Sequence, residues 1–225
     1  MATAKTAAST ARVTGSETGP GNSKTHELRT EVQEFKRRRI LEEARELFFA
    51  QGYESTTLDS IAESLDVTKP FLYSYFRNKS EILNAICEIG ITESIAAQEE
   101  VLAMDLSPPE KLRLIVERVT SIVIRDQKYV VVYNREEKNL EAAEQKHLID
   151  LRKSFDQRLA KLLEEGNASG DFSVDQPRML AVSISGMLTW VATWYRPRAA
   201  YTVTDVVMHM IQAVERMVGR PSRAR

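Results

Sequence analysis

Cysteine is nearly absent from this sequence, and so are the groupings of side chains that bind metal ions. The single cysteine, Cys87, has no partner for an internal disulfide, which is typical of proteins in a reducing cytosol. It stands in an apolar stretch, so we expect a small buried side chain rather than a reactive thiol. The three histidines, His26, His147 and His209, are scattered without a second ligand at helical spacing. The sequence therefore predicts neither a disulfide nor a metal site.

Glycine and proline are also scarce, with 9 and 7 among 225 residues. Much of the remainder is Ala, Leu, Glu, Arg and Lys, which lose little rotamer freedom in a helix. The sequence shows no strand-like alternation of apolar and polar residues and no internal repeat. With 43% hydrophobic and 28% charged residues the composition is that of a globular protein. We therefore predict an all-α fold.

The chain lacks long apolar runs and a large net charge. No apolar run follows Lys5, so no signal peptide is expected. Residues 179–195 are uncharged, but the stretch is short for a membrane span and contains serine and threonine, so it indicates a buried helix. We expect a cytoplasmic protein with no membrane partner. Because the net charge is −1, any binding to nucleic acid must come from a local patch.

The groupings that catalysis requires are missing as well. We find no nucleophile beside a base, no phosphate-binding loop and no cluster of metal ligands. Glu136 and Glu137 together with His147 come nearest to such a group, and an enzyme built on a helical bundle remains the alternative that they would support. We predict a protein that is not an enzyme, with no catalytic residues and no cofactor.

The N-terminal segment, residues 1–28, has almost no bulky apolar side chains. It cannot bury enough surface to offset the entropy lost on ordering, so we predict a flexible tail. From Val32 the pattern becomes helical, with apolar residues every three and four positions up to Phe48. Gly52 supplies the left-handed residue that ends a helix. The basic cluster Lys36–Arg39 is interpreted equally well as a phosphate contact or as a solvated helix end.

Two short helices joined by a tight turn follow, between Thr57 and Phe76. Thr57 and Thr68 are placed to cap the two helices with their hydroxyls, and Pro70 is tolerated in a first turn. Asp66 occupies the turn between them. Because the major groove of DNA admits one helix whose other face is packed, this pattern is typical of a helix-turn-helix. An interaction module that has lost DNA binding is the alternative.

A longer run of residues surrounds this motif in a recognisable order and spacing. Its members are Ile40–Phe48, Gly52-Tyr53, Thr56-Thr57, Ile61-Ala62, Val67–Lys69 and Leu72–Lys79. Together they resemble, without a gap over residues 32–83, the DNA-binding domain of TetR-family regulators. The resemblance implies an all-helical homodimer whose three-helix DNA-binding heads are released from a palindromic operator when a ligand binds a larger helical C-terminal domain. The implied domains are a tail at 1–28, a head at 29–83 and a ligand-binding and dimerisation domain at 84–225.

The resemblance also implies which residues contact DNA, by position in the motif. Two departures from the family pattern stand among them. Asp66 replaces the glycine usual at the turn, where it must adopt a left-handed conformation at some cost. Phe71 replaces a smaller residue and is placed to touch a thymine methyl group. The implied DNA contacts are Thr57, Thr68, Lys69, Pro70, Tyr73, Ser74, Tyr75 and Lys79.

The C-terminal half is predicted to supply dimerisation. Small residues in the helix after Pro177 let a partner helix approach closely. The last helix carries a heptad-like apolar stripe from Val207 to Val218. We expect these last two helices to form a four-helix interface in a homodimer. The aromatic residues near Trp190 are expected more often in a core or interface than in a binding site.

Part of this half, residues 148–172 and 186–197, resembles a TetR subgroup that controls lipid and steroid catabolism in response to acyl-coenzyme A thioesters. The resemblance implies a long apolar cavity for a long-chain or steroid-derived acyl group, with an arginine near the phosphates. The alternative is a repressor of an efflux or detoxification operon that senses a hydrophobic drug-like compound. The candidate effector-binding residues are Tyr133, Arg152, Phe155, Met187, Trp190, Trp194 and Arg196.

Overall fold

The computed structural model describes residues 20–197 and 200–219, which form nine α-helices and one turn of 3-10 helix at Glu137–Asn139, with no strand among them. By internal contacts the chain divides into two units, residues 1–38 and residues 39–225. The predicted all-α fold is confirmed. The helices are α1 (Pro20–Gln51), α2 (Leu58–Ser64), α3 (Lys69–Tyr73), α4 (Lys79–Leu102), α5 (Pro108–Arg125), α6 (Gln127–Glu136), α7 (Ala142–Ser169), α8 (Pro177–Trp194) and α9 (Val203–Met217).

The first helix begins earlier than the sequence pattern predicts. It starts at Pro20, so residues 20–28 of the predicted tail are helical, while residues 1–19 lie outside the described part of the chain. A helix that is already nucleated adds one hydrogen bond for each residue it fixes, so it can extend without burying apolar surface. Proline at the first position is pre-organised for this start. Helix α1 therefore extends nine residues into the segment that was predicted to be a tail.

The helix ends of the motif follow the predicted capping chemistry with one exception. Gly52 is left-handed, with a φ of 88°, and Thr57 caps α2 in a capping box with Ser60. Thr68 occupies the cap position of α3, but its hydroxyl makes no cap hydrogen bond. The second residue of α3 is Pro70, which has no N–H to donate, so one of the two usual partners of a capping hydroxyl is missing.

The turn between α2 and α3 is tight and strained at Asp66. Asp66 has a φ of 53°, the only positive value at a non-glycine residue in the described ranges 20–197 and 200–219. Two backbone hydrogen bonds close the turn, from Asp66 N to Glu63 O at 3.1 Å and from Val67 N to Ala62 O at 3.0 Å. The predicted left-handed turn residue is confirmed. The conformational cost of this left-handed residue is offset by the backbone hydrogen bonds of the two helices that the turn joins.

The core of the head is shared with later helices. Ile40 and Phe48 of α1, and Leu72 of α3, are buried in one cluster together with side chains of α4. Tyr129 of α6 and Leu148 of α7 belong to the same cluster. The boundary predicted between residues 83 and 84 lies inside α4, which continues without interruption. The head is therefore not a separately packed body.

A second core lies among α5, α7, α8 and α9. Most of the stripe on α9 that was predicted to face a partner subunit is instead buried inside this core, where Val207, Met210, Ile211, Val214 and Val218 all pack, whereas Met217 is exposed. A heptad-like stripe fits any partner helix, and α5 provides one within the same chain.

Within residues 20–197 and 200–219, no helix is long and apolar enough to cross a membrane.

The end of α7 packs so closely that its glycine leaves no room for a side chain. Gly166 is buried, and a Cβ placed there would overlap the ring of Phe172, at 2.8 Å from Cγ. We expect Gly166→Ala to lower the free energy of unfolding by about 1–3 kcal/mol, because overpacking must displace the ring or the helix. Gly90→Ala in α4 is the matched control, since its Cβ would lie 3.9 Å from Val130. Urea unfolding of both variants tests this, and equal stability would contradict the overlap.

Candidate DNA-binding surface and effector cavity

Helix α3 buries one face and presents the other to solvent. Leu72 is fully buried and Phe76, just beyond the helix, is 1% exposed. On the other face Thr68, Lys69, Pro70, Tyr73 and Ser74 are all exposed. Hydroxyl, ammonium and phenol groups thus lie on one exposed surface, which offers donors to bases and phosphates.

The polar groups of this surface are held by weak local contacts. The ammonium of Lys69 lies 2.8 Å from Asp59 Oδ2, and this hydrogen bond raises the pKa of Lys69. The hydroxyl of Ser74 donates to Phe71 O at 2.6 Å. An exposed ion pair contributes little to stability, so a phosphate group can replace Asp59 as the partner of Lys69.

The two aromatic residues Phe71 and Tyr75 pack on each other. Their ring centroids are 5.1 Å apart, and both side chains are half-buried against the head core. Part of each side chain therefore remains accessible to a ligand of the head. The predicted contact of Phe71 with a thymine methyl group stays a prediction.

Lys79, at the start of α4, is engaged by the protein itself. Its ammonium donates to Tyr53 O at 2.8 Å and to Thr56 O at 2.9 Å, and it lies 4.1 Å from the centroid of the Tyr53 ring. These bonds satisfy carbonyls that follow α1 and fix the loop that leads to Thr57. The sequence predicted a phosphate contact here, and nothing in the pattern indicated this anchoring role.

Helix α6 is bonded to the end of α1 by two adjacent side chains. Arg135 donates to the carbonyls of Phe48 and Phe49, which lie in the last turn of α1. Glu136 is buried, and its Oε1 accepts from Tyr53 N at 3.3 Å and from Arg135 Nε at 2.7 Å. A third bond comes from Asn139 Nδ2 to Oε2 at 2.9 Å. The sequence pattern indicated Glu136 only as part of a catalytic group, and the structure gives it this bonding role instead.

A cavity of about 310 Å³ lies among α4, α5, α6, α7 and α8. Most of its wall is apolar, and single polar groups interrupt it. Three of the candidate effector-binding residues, Tyr133, Arg152 and Phe155, are part of the wall. The other lining residues are Cys87, Gly90, Ile91, Ser94, Val119, Val123, Tyr129, Val130, Asn134, Leu148, Asp156, Val182, Ser185, Gly186 and Thr189.

Arg152 and Tyr133 form the most polar part of this wall. The guanidinium of Arg152 lies 4.1 Å from the centroid of the Tyr133 ring, and its side chain is exposed. Within residues 20–197 and 200–219 no carboxylate forms an ion pair with it. Burial raises the pKa of the Tyr133 phenol to about 12, so the phenol stays protonated and donates to Glu137. Arg152 is thus a cation at the cavity that can accept an anionic partner.

The other four candidates lie outside the cavity. Trp190 is 61% exposed and Trp194 is 41% exposed, on the face of α8 that points away from the core. Met187 packs against the C-terminal core, and Arg196 is exposed and donates to Tyr195 O at 2.8 Å. The prediction placed the aromatic side of α8 on the cavity, whereas its small and polar side, with Ser185, Gly186 and Thr189, lines it.

Several lining residues were not predicted because they carry no aromatic or charged signal. Cys87 is buried as expected, and burial raises the pKa of its thiol to about 12, which keeps it protonated. Asp156 was missed although it follows Arg152 by one helical turn, which places both on one face of α7. That spacing is the signal that would have found it. No group of three or more side chains suited to a metal ion occurs in the part of the chain that the structure describes.

Two family profiles match the chain. Residues 40–86 match bacterial regulatory proteins of the tetR family, and residues 105–218 match the tetracyclin repressor-like C-terminal domain. The two matches cover the helix-turn-helix and most of the second core.

Individual relatives agree with this assignment. The HTH-type transcriptional repressor KstR2 of Rhodococcus jostii (strain RHA1) is 27% identical over 181 residues, which cover 80% of this chain and 89% of that protein. A tetR-family regulatory protein from Rhodococcus RHA1 superposes with a TM-score of 0.75 at 25% identity, over 83% of this chain and 98% of its own. AibR, solved in complex with isovaleryl coenzyme A and operator DNA, has a TM-score of 0.69 at 26% identity, over 79% and 96%. The chain belongs to the TetR family of bacterial transcriptional regulators and is not an enzyme.

Proposed function

We propose that this ligand-responsive repressor leaves its operator when an acyl-coenzyme A thioester binds in the cavity between α4 and α8. The observation that carries the proposal is the exposed guanidinium of Arg152, stacked on Tyr133 at an apolar cavity. Phosphates of coenzyme A suit that cation, and an acyl chain suits the apolar wall. AibR, whose fold is similar, was solved with such a thioester, which supports the same class of effector here.

The apolar wall and the arginine fit the two halves of this ligand. Ile91, Val119, Val123 and Val130 supply aliphatic surface that an acyl chain would remove from water. Arg152 offers a planar fork of donors, which binds phosphate through paired hydrogen bonds. A drug-like hydrophobic compound would use the aliphatic wall but would leave Arg152 without an anionic partner.

Two of the helices that line the cavity, α4 and α6, also hold the head. Helix α4 begins at Lys79, which binds the carbonyls of Tyr53 and Thr56, and α6 binds the end of α1 through Arg135 and Glu136. A ligand that displaces the cavity faces of α4 and α6 would therefore displace these bonds. We propose this as the route by which the effector changes operator affinity.

We further propose that DNA is bound by the exposed face of α3 and its flanks, with two heads of a cytoplasmic homodimer on one palindrome. The two heads would lie roughly 34–36 Å apart, because the centres of the two half-sites are separated by one helical turn of DNA. The exposed apolar residues Met179, Trp190 and Trp194 of α8, and Met208 of α9, would be covered in the dimer. The proposed DNA contacts are Thr57, Thr68, Lys69, Pro70, Tyr73, Ser74, Tyr75 and Lys79.

The effector is tested by operator release in a gel-shift or anisotropy titration. We expect a long-chain acyl-coenzyme A to dissociate the operator complex, whereas the free acid and coenzyme A alone should not. Arg152→Ala should raise the concentration of thioester needed by about tenfold or more, because a charge-assisted hydrogen bond is lost. Arg152→Lys should need a thioester concentration between those of the unchanged protein and Arg152→Ala.

The matched control is Lys153→Ala, which removes an exposed cation on α7 that does not line the cavity. It should respond as the unchanged protein does. If the free acid, coenzyme A and the thioester all fail to dissociate the operator complex, the effector class is wrong. A hydrophobic drug-like compound then becomes the hypothesis to test.

A further inference from the structure

On one wall of the cavity the polar side chains already donate their hydrogens to other groups of the protein, so that only acceptors remain for a ligand. Ser185 Oγ donates to Asp156 Oδ1 at 2.6 Å and also lies 3.0 Å from Ala181 O. Thr189 Oγ1 donates to Ser185 O at 2.9 Å. Each hydroxyl has a single hydrogen, so neither has a second one for a ligand.

The same holds on the opposite wall, where Ser94 of α4 is buried and donates to Gly90 O at 2.8 Å. The ionised carboxylate of Asp156 offers acceptors and no donor, and one bond from Ser185 leaves most of its lone pairs open. Two lining residues with N–H donors on their side chains, Asn134 and Arg152, are exposed to solvent. Of the two lining phenols, Tyr133 donates to Glu137, and Tyr129 packs under the guanidinium of Arg45 on the α6 side of the cavity.

We infer that the acyl group recognised by this cavity carries a hydroxyl that donates to Asp156. This inference rests on the proposed acyl-coenzyme A effector and names its class more narrowly. A plain alkyl chain would cover the carboxylate and leave its remaining lone pairs without a hydrogen-bond donor, which is costly. A ketone offers another acceptor and does not relieve that cost. An ammonium group would meet the guanidinium of Arg152 one turn away on α7, which disfavours a second cation.

The cavity would therefore discriminate between acyl thioesters of equal length that differ in a single functional group. A site that hydrogen-bonds a hydroxyl rejects the analogue without it more strongly than an apolar pocket rejects an extra methylene. We expect the hydroxyacyl thioester to bind about ten- to a hundredfold more tightly than the plain acyl thioester, as a hydrogen bond to a charged group requires.

Calorimetric titration of the full chain tests the inference with three thioesters of equal length: the plain acyl, the hydroxyacyl and the ketoacyl form. Because the position of the hydroxyl is open, a series of hydroxyacyl isomers is used. At least one isomer should bind more tightly than both other forms. Asp156→Asn should reduce that preference to within about threefold, because an amide can also donate to a ketone. Asp156→Leu should reverse it in favour of the plain chain.

Asp150→Asn is the matched control, an exposed aspartate on α7 that does not line the cavity, and it should keep the preference. Equal binding of all three forms to the unchanged protein, or a preference that survives in Asp156→Asn, overturns the inference while the thioester effector stands. A plain methyl ester and a hydroxylated methyl ester of equal length supply the separate readout. If no thioester binds but the hydroxylated ester still binds better through Asp156, the proposed effector fails and the hydroxyl recognition stands.

Discussion

Tyr73→Ala is expected to lower affinity for the operator by about ten- to a hundredfold at fixed salt, which corresponds to one good base or phosphate contact. Tyr73 is 51% exposed at the end of α3, beside the half-buried pair of Phe71 and Tyr75. Because its side chain projects from the head, its removal should leave the fold intact. The measurement is fluorescence anisotropy with the operator and with an unrelated duplex of equal length.

Two variants separate the parts of this effect. Tyr73→Phe removes only the hydroxyl and should retain affinity if the ring packs on a sugar or a methyl group, and lose it if the hydroxyl binds a phosphate. Tyr201→Ala removes another exposed tyrosine, outside the helix-turn-helix, and should change nothing. An unchanged affinity of Tyr73→Ala for the operator would show that α3 is not the recognition helix.

Lys69 provides an independent check through salt. If its ammonium exchanges Asp59 for a phosphate, Lys69→Ala should weaken binding to all duplexes alike and reduce the slope of affinity against salt by about one ion. Loss of sequence preference without a change in slope would assign Lys69 to a base instead. Either outcome is read from one salt series on two duplexes.

Glu136→Ala is expected to lower the free energy of unfolding by about 1–3 kcal/mol and the melting temperature by about 3–10 °C. The substitution leaves Tyr53 N–H, the Arg135 guanidinium and the Asn139 amide without their shared acceptor in a buried position. Because these bonds join α6 to the end of α1, the variant should also respond less to effector. The ratio of operator affinities without and with effector should fall about fivefold or more.

Calorimetric melting and an operator titration with and without thioester measure the two effects. Glu136→Gln keeps one oxygen acceptor and should fall between Glu136→Ala and the unchanged protein. Glu164→Ala removes an exposed glutamate of α7 and should affect neither stability nor response. A Glu136→Ala protein that melts lower but keeps the full ratio would show that these bonds stabilise the fold without conveying the signal.

Local features of the fold were predictable because they depend on local chemistry. The glycine that ends α1, the cap at Thr57, the strained turn at Asp66 and the proline that opens α8 all stand where the sequence places them. Each of these effects involves residues within one turn of each other, so the sequence contains all that is needed. The early start of α1 was missed because residues 20–28 contain almost no apolar residues and therefore show no helical pattern.

Features that depend on which faces meet were not predictable from one sequence. The stripe on α9 identified an apolar face correctly, but not whether α5 of the same chain or a second subunit covers it. Likewise Trp190 and Ser185 stand on different sides of α8, and periodicity does not say which side meets the cavity. Lys79 was assigned to a phosphate contact by its position in the motif. Its anchoring role was not predictable, because its partners are backbone carbonyls, which every residue type possesses.

The uninterrupted helix α4 has a consequence for engineering hybrid regulators. A chimaera that joins the head of this protein to another sensor domain at residue 83 would cut α4 and would also discard Tyr129 and Leu148, which complete the head core. The exchangeable module is therefore larger than the helix-turn-helix. A functional graft must carry the α4 stem and the facing surface of α6, or must redesign both to suit the new host.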